Sequence, residues 1–132
     1  MKNQEKVRKA KEYARQAHKG QKRTGGGDYI IHPLKVYDIL KCVTDDTDIL
    51  CAGLLHDVVE DSTITFDDIE EEFGVRAAEI VREVTNDRMG INHIKTKEGL
   101  IVKLADIIHN IHDNVLGEEY LKKKISFVEA YT

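Results

Sequence analysis

Apolar positions along the chain recur mostly at three- and four-residue spacings, the repeat of one helix face, and almost nowhere in the alternation of a half-buried strand. Val7, Ala10, Ala14 and Ala17 form the first stripe, which predicts a helix over residues 3–18. Gly20 closes it, and Gly25-Gly26-Gly27 forms a flexible loop. Pro33, the only proline, suits the first turn of a second helix running to about Cys42. Asp46 or Thr47 is placed to cap a third helix, which carries Leu50, Leu54 and Leu55 into His56-Asp57. Thr65 with Asp68 has the spacing of a capping box for a short helix ending near Phe73-Gly74, and Val75 to Thr85 forms a further helix. The polar stretch from Asn86 to Lys97 reads as a loop or frayed turn. Leu100 to about Val115 is apolar enough for a buried helix, and a last helix is expected from Glu118 to about Ala130. With no repeat, linker or low-complexity stretch, the expectation is an all-α fold, a single helical bundle over residues 1–132.

Composition changes this picture little. Apolar residues at 41% and charged residues at 33% exclude wholesale disorder. No apolar run reaches the roughly 20 residues that cross a bilayer, so no membrane partner is expected. The basic, polar start from Met1 to Arg15 lacks the apolar core of a signal peptide, which points to the cytoplasm. Cys42 and Cys51 lie in apolar stretches without a paired spacing and are expected to be buried thiols.

Charge says more. Residues 1–23 hold nine Lys or Arg against Glu5 and Glu12, whereas no Lys or Arg stands between Cys42 and Val75. Solvated helix faces account for most of these charges; the sharper alternative sets a cation near some acids and a phosphorylated ligand near some bases. A net charge of −4 and the lack of an aromatic-interleaved basic motif disfavour nucleic acid as a partner.

Separated segments offer metal-ligand chemistry: His32 before Pro33, the pair His56-Asp57, the pair Glu60-Asp61, and Asp106 within an apolar helix. Glu60 lies four residues past His56, and Asp61 four past Asp57, so the pairs share faces of any helix that continues through them. A lone histidine beside a core is ordinarily just hydrogen-bonded. Asp106 is harder to dismiss, because an unpaired carboxylate in so apolar a helix is costly and a cation is one of few partners that offsets the cost. Two imidazoles and two carboxylates suit one Mn²⁺ or a similar octahedral ion with open positions, and the lack of thiolates disfavours a closed structural zinc site. Such an ion acidifies water and polarises phosphoryl oxygens, the two needs of phosphate ester hydrolysis.

Histidine, then His-Asp, then a later Asp on a helix resembles the signature of HD-domain phosphohydrolases. The surrounding residues narrow the resemblance. Ala17 to Arg23, Tyr29 to Leu34, Leu54 to Asp61, Phe73-Gly74, Val84-Thr85 and Lys103 to Asn110, in that order, are similar to the hydrolase domain of the RelA/SpoT family over roughly residues 7–115. No synthetase half follows, so the chain resembles the stand-alone small alarmone hydrolases, such as the metazoan SpoT homologues. The resemblance implies that His32, His56, Asp57 and Asp106 bind Mn²⁺, and that Glu60 and Asp61 handle protons at the attacking water; otherwise those two acids are a surface charge pair. It implies that Arg23 packs on the base of a nucleotide substrate, against the alternative of a solvated loop arginine. Asn110 would lie near the nucleoside, and Lys103 would meet a phosphate or stay a surface lysine. His18 is explained equally by a structural hydrogen bond or by ligand contact. Tyr29 is expected to pack the loop, and His93, His109 and His112 are taken as surface or packing residues.

Departures from the family pattern bear on the substrate. Thr24 stands where a basic residue commonly follows the arginine, Gly25 to Asp28 replaces a loop that usually ends in proline, and the stretch from Thr85 to Lys103 is short. The chain also stops soon after Asn110, which leaves a nucleoside-facing wall either missing or supplied by another subunit of a homo-oligomer. The first reading is therefore removal of 3′-pyrophosphate from guanosine tetra- or pentaphosphate. NADPH phosphatase or adenosine alarmone hydrolase activity is the second, and an alarmone-binding module without turnover the third.

Overall fold

The computed structural model describes residues 2–85 and 94–113, and within them the chain is α-helical apart from one isolated antiparallel bridge between Lys22 and Asp28. Among the described residues seven helices follow one another: α1 (Asn3–Ala17), α2 (Ile31–Lys41), α3 (Thr47–Leu55), α4 (Val58–Asp61), α5 (Phe66–Phe73), α6 (Val75–Thr85) and α7 (Lys97–Asp113). The helix expected from Glu118, His93 and most of the stretch from Asn86 to Lys97 lie outside the described residues.

Helix α3 is the centre of the bundle, packed against α1, α2, α6 and α7. Its sequence explains the position: every residue from Ile49 to Leu55 is apolar or glycine and every one is buried, the pattern of a helix surrounded on all sides. Asp46 starts it by accepting hydrogen bonds from the amides of Asp48 and Ile49 at 3.1 and 3.4 Å. The capping box opens α5 as the spacing predicts, with the Thr65 and Asp68 side chains each accepting from the other's amide. Gly74, at φ +96°, ends that helix in a conformation other residues rarely adopt. Phe73 is fully buried edge-on to Tyr13 at 5.2 Å, which joins α5 to α1.

Three local expectations are corrected. Helix α3 does not continue through His56-Asp57. The His56 ring donates from Nδ1 to the Gly53 carbonyl at 2.7 Å, and that carbonyl is the one the Asp57 amide would use in an unbroken helix. Helix α7 begins at Lys97 rather than Leu100, because the Thr96 hydroxyl accepts the Gly99 amide at 3.0 Å and so starts the helix early. Cys42 is exposed just past the end of α2, whereas Cys51 is buried as expected and burial pushes its thiol up to about 12.

At Gly53, α3 leaves no room for a side chain facing α2. A Cβ at this position would stand 2.4 Å from Leu40 Cδ1 and 3.4 Å from Val36 Cγ1, both on fully buried side chains. Overpacking of this kind costs about 1–3 kcal/mol, more than the roughly 1 kcal/mol of helix propensity that alanine gains over glycine. Gly53→Ala is therefore expected to lower the melting temperature by a few degrees; an unchanged or higher value in a thermal melt contradicts this packing.

Candidate metal centre

His32 reaches the site from the first turn of α2, held there by the turn that passes its amide to the Tyr29 carbonyl at 2.9 Å. His56 and Asp57 come from the break after α3, and Asp106 from the middle of α7. The three segments meet. His32 Nε2 lies 2.7 Å from Asp106 Oδ1 and 4.0 Å from Asp57 Oδ2, while His56 Nε2 lies 2.9 Å from Asp57 Oδ2 and 3.3 Å from Asp106 Oδ1. One ligand atom from each of His32, His56 and Asp57 falls within 4.8 Å of the other two, a spacing open to a shared cation.

Two features test whether these residues fit a divalent ion. His56 Nε2 is buried and close to two carboxylates, yet it makes no aligned hydrogen bond to either, while Nδ1 is committed to the Gly53 carbonyl. With Nδ1 committed to the carbonyl, Nε2 is the nitrogen that a metal would take, in place of a proton, between the two carboxylates. Each carboxylate is also held by further side chains. Tyr29 donates its hydroxyl to Asp57 Oδ2 at 2.5 Å, and Lys103 Nζ and Asn110 Nδ2 stand 3.4 Å from Asp106 oxygens. The donor set and its supports fit.

The electrostatics follow from this crowding. Burial works against the charged form of every group here, but Asp57 and Asp106 flank His56 and hold its imidazole well above the usual range. Against the same burial, the His56 charge holds Asp106 well below the carboxylate range and brings Asp57 to about 2. For His32 burial prevails, aided by the charge on His56, and its imidazole is lowered. Burial next to Asp57 raises the Tyr29 hydroxyl, which keeps its proton to donate. The centre thus concentrates negative charge around a position where a positive one is favoured.

The remaining expected residues divide. Arg23 is buried, not a solvated loop side chain: Nη2 donates to Asn110 Oδ1 at 3.1 Å, and the guanidinium lies 5.8 Å from the Tyr29 ring centre. The glycine loop that carries Arg23 is closed by Arg23 and Gly27 backbone pairing at 3.0 Å, with Gly26 and Gly27 at positive φ. Lys103 is buried rather than on the surface. Glu60 and Asp61 are exposed on α4, so the shared faces of a continuing helix do not apply to them. Asp61 accepts from Gln21 Nε2 at 3.2 Å. His18 has a structural bond, Nδ1 to Gln21 Oε1 at 2.9 Å, and is buried against Tyr29.

Two residues near the centre escaped the sequence reading. Tyr29 bonds to a candidate ligand as well as packing its loop, and His109, expected to be surface or packing, is buried with Nδ1 2.7 Å from His32 Nδ1. Spacing offered a signal for the second: His109 follows Asp106 by three residues in α7 and so shares its side of the helix. His112 is exposed, in keeping with a surface role.

The HD domain family model matches residues 10–98. The chain is 37% identical over 122 residues to a guanosine-3′,5′-bis(diphosphate) 3′-pyrophosphohydrolase of Spiroplasma citri, covering 80% of this chain and 16% of that protein. It is 36% identical over 122 residues to the bifunctional (p)ppGpp synthase/hydrolase SpoT of Escherichia coli K12, covering 80% of this chain and 17% of that protein. The chain therefore spans less than a fifth of the length of either curated relative. A solved structure described as a metazoan ortholog of SpoT that hydrolyzes ppGpp superposes with a TM-score of 0.75 at 31% identity, covering 93% of this chain and 80% of the other.

Proposed function

The chain belongs to the HD-domain family, among its SpoT-like hydrolases, and from that premise we propose that it hydrolyses guanosine tetra- or pentaphosphate at the 3′ position, releasing pyrophosphate and leaving GDP or GTP. The observation that carries this reading is the meeting of His32, His56 and Asp57 within 4.8 Å of one another, with Asp106 Oδ1 2.7 and 3.3 Å from the two imidazole Nε2 atoms, drawn from three separate segments. Relatives named for this reaction support the choice of substrate.

The cation is Mn²⁺, one per chain, which the mixed nitrogen and oxygen donors suit better than zinc. When bound, it supplies Lewis acidity to the phosphoryl group and makes water a better nucleophile at neutral pH. The protein's own residues do the rest. Tyr29 fixes the rotamer of Asp57 by donating to Oδ2, and Lys103 keeps Asp106 oriented and partly neutralised. Glu60 and Asp61, on the short helix that follows the His56-Asp57 break, move the proton of the attacking water, Asp61 being held by Gln21. Arg23 presents a planar guanidinium for the base to stack on, already oriented by Asn110.

Incubating the purified protein with Mn²⁺ and labelled guanosine tetraphosphate tests the reading. Release of labelled pyrophosphate is expected, with loss on chelation and recovery on restoring the metal. The loop from Thr24 to Asp28 is the wall most altered from the family pattern, so a panel including NADPH and adenosine alarmones runs in parallel. Cleavage of one of those, with guanosine alarmones untouched, rejects this substrate.

A further inference from the structure

His56 and His32 face the same problem in opposite ways. For an imidazole to offer Nε2 to a cation, its proton must sit on Nδ1, and a buried N–H needs an acceptor. His56 meets this with the Gly53 carbonyl, a group that can only accept, so its tautomer is locked. His32 instead places Nδ1 2.7 Å from Nδ1 of His109, with the ring planes inclined by 25° and 5.0 Å between centres, so that the two nitrogens meet edge to edge. An imidazole nitrogen, unlike a carbonyl, either donates or accepts.

The other side of His32 gives that freedom a use. His32 Nε2 lies 2.7 Å from Asp106 Oδ1, and a carboxylate only accepts, so in this arrangement the proton is on Nε2. His32 Nδ1 then carries a lone pair, and His109 Nδ1 must be the donor. With a cation at Nε2 the direction has to reverse: His32 Nδ1 bears the proton and His109 Nδ1 accepts it.

We propose that His109 is a positioning residue of the metal centre, an adjustable partner whose Nδ1 donates to His32 in the metal-free protein and accepts from it when a cation is held. The proton balance closes. One proton leaves His32 Nε2, the His109 Nδ1 proton crosses to His32 Nδ1, and one proton is taken up at His109 Nε2, so the two rings together keep their count. This inference rests on His32 being a ligand, as proposed above.

Side-chain nitrogen NMR of the histidine-labelled full chain tests it, with Zn²⁺ as a diamagnetic probe. The metal-free protein is expected to show His32 protonated on Nε2 and His109 on Nδ1; one equivalent of Zn²⁺ exchanges both tautomers. If neither His32 nor His56 responds to Zn²⁺, the metal reading itself fails. If they respond and His109 keeps its tautomer, only the role of His109 fails. Calorimetric titration of Mn²⁺ into variants supplies a second readout. His109→Leu is expected to weaken Mn²⁺ binding about ten- to hundredfold, the usual cost of losing a partner behind a ligand, whereas His109→Asn, which donates or accepts at nearly the same place, stays within about threefold of the parent. A leucine variant that binds Mn²⁺ as tightly as the parent overturns the proposal, as does an asparagine variant as weak as the leucine one. Should the leucine variant not fold, the tautomer exchange in the parent chain decides alone.

Discussion

Asp106→Asn is expected to leave the helical fold standing while divalent-ion binding and hydrolysis disappear together. Asp106 is the point where two other segments close on α7, with His32 Nε2 at 2.7 Å, His56 Nε2 at 3.3 Å and Lys103 Nζ at 3.4 Å. Its carboxylate is buried, and the adjacent imidazole charge holds it ionised against that burial. Replacement by asparagine keeps the volume and one acceptor but removes the charge a cation requires. The loss in Mn²⁺ affinity should exceed the ten- to hundredfold typical of residues that merely support a ligand. Asp106→Ala goes further, because it strands the buried Lys103 ammonium without this counter-charge, and breaking one side of a buried pair costs about 3–5 kcal/mol. Titration calorimetry for the metal, pyrophosphate release for turnover and a thermal melt for the fold separate the two variants. An asparagine variant that binds Mn²⁺ like the parent contradicts the role given to Asp106.

Glu60→Gln combined with Asp61→Asn should behave in the opposite sense, keeping the metal and losing the rate. Neither carboxylate is among the atoms that converge on the ion position, and both are exposed on α4, so the substitution disturbs little packing. A positioned acid-base group contributes about a hundredfold to ten-thousandfold, and turnover is expected to fall by at least about a hundredfold at unchanged Mn²⁺ affinity. Asp61 also accepts from Gln21, and asparagine keeps an oxygen for that bond, so the loop bearing Gln21 stays in place. A double variant with the full parental rate removes both residues from the chemistry.

Legibility in the sequence tracked how local each interaction is. The caps at Asp46 and Thr65, the stop at Gly74 and the apolar stripe of α3 are decided within a few residues, and each was visible as a pattern. The four ligand candidates were visible because cost and chemistry singled them out: a carboxylate in an apolar helix and a His-Asp pair at the end of another. What escaped depends on side chains meeting across the bundle. The bond from Tyr29 to Asp57 joins the loop before α2 to the break after α3, and the contact between His32 and His109 joins α2 to α7; spacing puts His109 on the side of Asp106 but does not name its partner. That Glu60 and Asp61 do not share helix faces with His56 and Asp57 has a different cause. It arises from a side chain competing with the backbone for the Gly53 carbonyl, while residues 50–61 by their apolar spacing continue to read as helix.

Anomalous diffraction from a crystal grown with Mn²⁺ is the most direct examination of the centre. The expected map contains one strong peak per chain, at bonding distance from His32 Nε2, His56 Nε2 and a carboxylate oxygen of each of Asp57 and Asp106. A peak elsewhere on the molecule, or none at these four side chains with Mn²⁺ present in excess, contradicts the metal centre and the hydrolase reading built on it.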